Sequence, residues 1–363
     1  MKIAVVIGVR PHYVKLAAFY APLAARHEVC VVNTGQHFDY DMTQTFIDEL
    51  GLPPVTFDLG IGSGSHLEQT GRAIVALEQP LLSSRPDAVI VIGDTNSSLA
   101  GAIAAAKLGL PVAHVEAGIR SFEADLPEET NRLAIDAVSS LHLCPTEKAL
   151  LNMRAEARGE TARLVGDLLL DVLDLQQQKL QERLSVWRRE LPDLDQSAVV
   201  TFHRSATVRD ESILSAIVAG LLAFSRPIIC ILHPGTKQAL QRAGLLEKLA
   251  SMPAIRLLGP QRHADLLALI AGADRVLSDS NGVQREALFV QTPCFILRDS
   301  TEYPETIEMG AAELIGTDTQ NIVRSATTRL KMPPIDDVRR AFGDGRAGQR
   351  IVEAVSSVLQ VAT

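Results

Sequence analysis

The sequence is short of what several protein classes require. Only four cysteines occur in 363 residues. Cys30, Cys144, Cys230 and Cys294 stand far apart inside apolar segments. That spacing argues against a disulfide framework or a zinc site and points to buried, reduced thiols in a cytoplasmic protein. No apolar run nears the ~18 residues a membrane-spanning helix needs. Basic tracts are absent too. Lys and Arg number 35 against 43 Asp and Glu, for a net charge of −8, so the broad electrostatic footprint of a nucleic-acid binder is missing. A local basic site for one small anion is compatible with that balance. The opening MKIAVVIGVR reads as a strand, its apolar stretch being too short for a secretory signal. Neither a G-x-x-x-x-G-K-[ST] loop nor an H-E-x-x-H pair occurs, and no metal or cofactor is expected.

What is present is a chain with 47% hydrophobic residues, which excludes disorder and can supply real cores. At roughly 100–200 residues per domain, its length predicts two domains or one large one. Residues 3–7, 28–32, 88–92 and 112–115 read as strands, with weaker ones at 141–144 and near Leu164. Residues 41–50, 66–82, 97–108 and 146–157 carry helical spacing. Continuous apolar strands alternating with helices predict an α/β fold with a parallel sheet covered on both faces. A long polar helix over 171–190 reads as a connection, after which the pattern restarts. Strands fall at 198–202, 227–232, 255–258, 275–277 and 294–297, and helices at 211–224, 236–252, 264–271 and 282–289. Two more helices are expected over 334–359. The expected organisation is two Rossmann-like, doubly wound domains, 1–170 and 196–345, joined by 171–195 and followed by a terminal helix, 346–363. In such folds ligands bind at the carboxyl ends of the strands, here in an expected cleft between the domains.

Four segments place charged or polar residues where apolar strands end. Gly8-Val9-Arg10-Pro11-His12-Tyr13-Val14-Lys15 puts Arg10 and Lys15 at a helix start. Backbone N–H groups and the helix dipole would there add to two cations around an anionic ligand. Gly93-Asp94-Thr95-Asn96 and His114-Val115-Glu116-Ala117-Gly118-Ile119-Arg120 follow neighbouring strands and bring two carboxylates to one crevice mouth. Pro127-Glu128-Glu129-Thr130-Asn131-Arg132 adds acid at a helix start, where one of the two glutamates could be only a dipole partner. Carboxylates held close together suit general acid–base work, since like-charge repulsion raises one pKa. The fourth segment, Asp279-Ser280-Asn281-Gly282-Val283-Gln284-Arg285-Glu286, is a strand-to-helix turn. Ser280 with the N–H groups of Asn281 and Gly282 suits a diphosphate, and Glu286 suits ribose hydroxyls, although an ordinary N-cap has the same composition. His203-Arg204 and His233 also follow strands, where a histidine handles protons, binds phosphate or bridges loops. The glycine–serine run over 60–65 lacks phosphate-loop spacing and reads as a plain loop.

Eight motifs occur in a telling order: Gly8-Val9-Arg10-Pro11 with Lys15, Thr34-Gly35-Gln36-His37-Phe38-Asp39, Gly93-Asp94-Thr95, His114-Val115-Glu116-Ala117-Gly118, Pro127-Glu128-Glu129 with Asn131-Arg132, His203-Arg204, Asp279-Ser280, and Arg298-Asp299-Ser300-Thr301-Glu302 with Pro304-Glu305. As a set they resemble the non-hydrolysing UDP-N-acetylglucosamine 2-epimerases, a family with the GT-B fold, from residue 1 to about residue 316. The resemblance implies an isomerase working through UDP elimination to a 2-acetamidoglucal and re-addition. It implies catalytic roles for Asp94, Glu116, Glu128 and His203. Arg10, Lys15, Ser280, Asn281, Gly282 and Glu286 fall at its positions for UDP, with Arg132 near the sugar. It further implies a second UDP-sugar bound as activator near Gln36, His37, Arg72 and His233, and a homodimer.

Four departures stand out from that pattern. His12 replaces the Glu after Arg-Pro, and Ser205-Ala206-Thr207 follows His-Arg where x-Glu-Asn is usual. Asn281 replaces a Gly, and Tyr303 the Arg of Thr-Glu-Arg-Pro-Glu. They point to a modified sugar, such as a UDP-2,3-diacetamido-glucuronic acid, or to a hydrolysing outcome that releases a free N-acetylmannosamine-type sugar and UDP. A glycosyltransferase or nucleotide-sugar-binding protein is the alternative from another class.

Overall fold

Runs of Val, Ile and Ala form ribbons that are apolar on both faces, and such strands must be covered on both sides. The computed structural model describes residues 1–36 and 50–361. By contact they form two units: Met1–Asp174 with the chain from Arg339 onward, and Leu175–Val338.

In the first unit, β1 (Lys2–Ile7), β2 (Glu28–Asn33), β3 (Phe57–Asp58), β4 (Ala88–Ile92), β5 (Val112–Val115), β6 (Leu141–Cys144) and β7 (Ala162–Leu164) pair in the order β3-β2-β1-β4-β5-β6-β7. All pairings are parallel. The period of two is visible in β1. Ile3, Val5 and Ile7 pack with Leu16 and Phe19 of the Arg10–Ala24 helix and Ile351 of the Ala347–Val361 helix. Ala4 and Val6 face Leu77, Ala100 and Ala104 on the other side.

The second unit repeats the plan with β8 (Ala198–Thr201), β9 (Ile228–Ile231), β10 (Ile255–Leu258), β11 (Arg275–Ser278), β12 (Cys294–Ile296) and β13 (Ala312–Leu314), ordered β10-β9-β8-β11-β12-β13 and again parallel. Val200, Phe202, Ile217 and Phe295 belong to its core. In each sheet the strand order reverses at one place, between β1 and β4 and between β8 and β11. Ligands of open α/β sheets bind outside the carboxyl ends at such switch points.

Several elements differ from expectation. The single helix expected over 171–190 is two, Leu168–Leu175 and Gln177–Glu190, and the chain passes from one unit to the other at their junction. The helix expected over 236–252 breaks into Pro234–Arg242 and Leu246–Ala250, because Gly244 adopts a left-handed φ of 64°. Strands β3 and β13, two and three residues long, lie at sheet edges and carry little apolar signal. Most of the helix expected over 41–50 lies outside the described residues, as does His37.

All four cysteines are buried and free. Burial pushes the Cys144, Cys230 and Cys294 thiols up to about 12. Among the described residues no helix is long and apolar enough to cross a membrane, and no cluster of His, Cys, Asp or Glu could hold a metal ion.

Candidate functional site

At the β1–β4 switch, the Arg10–Ala24 helix carries Pro11 in its first turn, which the fixed φ of proline suits. Lys15, buried in that helix, forms an ion pair with Glu116, which follows β5. Their side chains are only 10% and 6% exposed. Glu116 adopts a left-handed φ of 70°, a conformation that costs a non-glycine residue about 1–3 kcal/mol and persists only where its surroundings dictate it. The N–H groups of Glu116 and Ala117 both donate to Leu143 O, at 3.0 and 3.2 Å. Gly93, also left-handed, closes over this pair: a Cβ there would lie 3.2 Å from Glu116 Oε2.

Asp94 comes next in the chain. Its carboxylate accepts from Arg132 Nε at 2.8 Å and Nη2 at 2.6 Å, and its backbone carbonyl accepts from Asn131 at 2.8 Å. A third of its side chain stays exposed, so it keeps access to a ligand. Arg132 also donates to Glu129 Oε2 at 2.7 Å, and the Glu129 carboxylate accepts from Ser121 N and Phe122 N. The two adjacent glutamates thereby separate. Glu129 is buried scaffold, whereas half-buried Glu128 makes no hydrogen bond or ion pair among the described residues. Arg132, expected near the sugar, is itself buried and bridges Asp94 to Glu129.

Behind these acids lies a largely buried ionic cluster in which His114 and Arg120, from a segment singled out in the sequence, meet Asp136 and Glu156, which were not. His114 meets Asp136 at 2.6 Å, and Arg120 donates to Asp136 at 2.7 Å and to Glu156 at 2.8 Å. Burial works to raise the Asp136 carboxyl. The charges and hydrogen bonds of His114 and Arg120 outweigh that effect and hold it below the usual carboxylate range. A signal was available: positions 129, 132 and 136 share one face of the Pro127–Val138 helix, and all three are buried.

Gln36 and Arg72 come together around the loop over 60–65. Gln36 Oε1 accepts from Ser97 N at 3.1 Å and Ser97 Oγ at 2.7 Å. Gln69 donates both to Gln36 O and to Gly62 O, and exposed Arg72 donates to Ser63 O.

The second unit builds its own switch point around Asp279. This fully buried carboxylate accepts from His203 N (3.0 Å), Arg204 N (2.9 Å) and Thr207 Oγ1 (3.0 Å). It fixes the turn that presents His203, whose ring is exposed and centred 5.7 Å from that of His233. Ser280 Oγ caps the Asn281–Phe289 helix at Val283 N. The ordinary cap is therefore real, and the turn also leaves Asn281 and Gly282 half-exposed. Glu286 is buried, with an oxygen 2.8 Å from His263 Nε2, and His263 Nδ1 lies 3.0 Å from Gln176 Oε1.

Three of the sequence departures find physical roles here. Thr207 bonds the central Asp279. The Asn281 side chain accepts from Arg298 at 3.0 Å, a contact a glycine could not supply. Tyr303 is buried with the Arg285 guanidinium 4.1 Å from its ring centre, so this exchange is a cation–π packing contact. Arg298 and Arg204, which the motif set contained without an assigned role, share the buried Glu302 carboxylate.

The family model for UDP-N-acetylglucosamine 2-epimerase matches residues 23–356. The chain belongs to the UDP-N-acetylglucosamine 2-epimerase family. The UDP-N-acetylglucosamine 2-epimerase of Methanocaldococcus jannaschii is 37% identical over 365 residues, covering 98% of this chain and 99% of that protein. The UDP-2,3-diacetamido-2,3-dideoxy-D-glucuronate 2-epimerase of Pseudomonas aeruginosa is 36% identical over 366 residues, covering 99% and 100%. The crystal structure of the M. jannaschii epimerase in complex with UDP-GlcNAc and UDP matches with a TM-score of 0.89 at 35% identity, over 98% of this chain and 100% of that one. As an epimerase-family protein the chain has the GT-B fold that its motifs implied.

Proposed function

We propose that this chain is a UDP-sugar 2-epimerase that interconverts UDP-GlcNAc, or a close 2-acetamido relative, and its manno epimer. The observation that carries the reading is the gathering of Asp94, Glu116 and Lys15 at the first unit's switch point, on a turn held by Arg132 and Asn131. A carboxylate takes the C2 proton while the C1–O bond breaks and its electron pair leaves with UDP, giving the 2-acetamidoglucal. UDP then adds back at C1 as a second acid returns a proton to C2 from the opposite face. Asp94, Glu116, Glu128 and His203 are the groups for these transfers. Negative charge builds on the departing diphosphate, so Arg10 and the N–H groups at Ser280, Asn281 and Gly282 stabilise the transition state electrostatically. Glu286 receives the ribose hydroxyls, and Arg132 holds Asp94 beside the sugar. Gln36, His37, Arg72 and His233 would serve an activating second UDP-sugar.

A substituted sugar is the second reading, since the 36% identity to the diacetamidoglucuronate epimerase is nearly equal to the 37% identity to the UDP-N-acetylglucosamine epimerase. Separate incubations with UDP-GlcNAc and UDP-2,3-diacetamido-glucuronic acid choose between them. A nucleotide-linked manno product from one substrate assigns it. Free reducing sugar with stoichiometric UDP would instead mark a hydrolysing enzyme, and acceptor-dependent transfer a glycosyltransferase.

We also infer a cytoplasmic homodimer. Four separate, buried free thiols suit a reducing compartment. Leu67, Val75 and Leu82 stay exposed along the His66–Ser84 helix, within an arc of about 80° at roughly 100° per residue. Light scattering should give twice the 39.2 kDa chain mass, and a value at the chain mass would refute the dimer.

A further inference from the structure

The partners around His114 define its protonation as well as its position. The ring is fully buried. Nδ1 lies 2.6 Å from Asp136 Oδ1, and Nε2 lies 3.0 Å from the backbone carbonyl of Gly93. A backbone carbonyl only accepts, and Asp136 is held as a carboxylate by the Arg120 guanidinium on its other oxygen, so it accepts as well. Both ring nitrogens must therefore donate. The other Asp136 oxygen accepts from Gly118 N at 3.2 Å and from Arg120 Nη2 at 2.7 Å. Arg120 reaches half-buried Glu156 as well, at 2.8 Å.

We propose that His114, protonated on both ring nitrogens, is a positioning residue of the reaction: it ties the Gly93 carbonyl, one residue before Asp94, to Asp136, which in turn holds the Gly118 N–H two residues after Glu116. Gly93, Glu116 and Gly118 all have left-handed φ values, of 64°, 70° and 77°. Two unusual turns, each carrying one of the acids, are thus fastened to opposite ends of the His114–Asp136 pair. Buried as it is, the ring acts through the two turns it fixes. Without it both turns can relax, and a misplacement near 1 Å costs about 100-fold in rate. The proposal rests on the reading of Asp94 and Glu116 as acid–base groups.

The test is His114→Gln in the full chain. A glutamine amide N–H can replace one of the two donations but not both. Calorimetric titration with UDP counts the folded, binding-competent molecules. Per such molecule, kcat should fall about 100-fold, with the Kd for UDP within about twofold of native. An unchanged kcat in the UDP-binding variant overturns the proposal. Should the variant fail to fold, nitrogen-15 NMR of the native protein at neutral pH decides. Both His114 ring nitrogens are expected to carry protons, and one bare nitrogen overturns the proposal. If the native chain exchanges no C2 hydrogen in any UDP-sugar, the functional reading itself fails, whereas the NMR result still reports on the ring.

Discussion

Replacing Lys15 by methionine should destabilise the first unit by about 3–5 kcal/mol, the usual cost of removing one partner from a buried ion pair. Methionine keeps most of the length and volume, so the change isolates charge. It leaves the Glu116 carboxylate nearly buried against Gly93 with its Lys15 counter-charge gone. Glu116 already sits in an unfavourable backbone conformation, which lowers the resistance of that turn to opening. Hydrogen exchange of the β1, β4 and β5 amides in the full chain measures the loss where it occurs. Pairing Lys15→Met with Glu116→Leu should restore much of the protection, since apolar replacements of similar volume often match a buried ion pair in stability. A single variant that exchanges like the native protein would show that the pair contributes little.

The second large effect is on chemistry. Asp94→Asn keeps an oxygen that can accept from Arg132 and leaves the backbone bond from Asn131 intact, so the turn should hold. Exchange of the C2 hydrogen should nevertheless fall by about 10²- to 10⁴-fold, the range for removing a general acid or base. UDP affinity should change little, because the diphosphate is assigned chiefly to the Ser280 turn and Arg10. Exchange within twofold of native would make Asp94 a structural partner of Arg132 and move the proton transfer to Glu116 or Glu128.

These two predictions draw on different parts of what the sequence makes legible. Strands with apolar residues on both faces were visible at nearly their true ends: residues 88–92, 112–115, 141–144 and 255–258 match β4, β5, β6 and β10. The strand-end placement of Arg10, Asp94, His203 and Ser280 was also readable, and the strand order puts all four at switch points. The pairings were not readable. Arg120, Asp136 and Glu156 lie 16 to 36 positions apart on different elements, and only folding makes them neighbours. Glu128 and Glu129 are adjacent in sequence and alike in chemistry. Their separation depends on the Ser121 and Phe122 N–H groups that capture Glu129. The break at Gln176 was hidden for a related reason. A polar, Gln-rich stretch has good helix propensity throughout, and the interruption arises where the chain changes units.

The measurement that bears most directly on the whole account is C2 exchange by the native chain. UDP-GlcNAc and UDP-2,3-diacetamido-glucuronic acid are incubated separately with it in D2O and followed by proton NMR. The account predicts, for at least one of them, deuterium entering C2 together with a UDP-linked manno epimer. Both sugars remaining unlabelled and unchanged would contradict it.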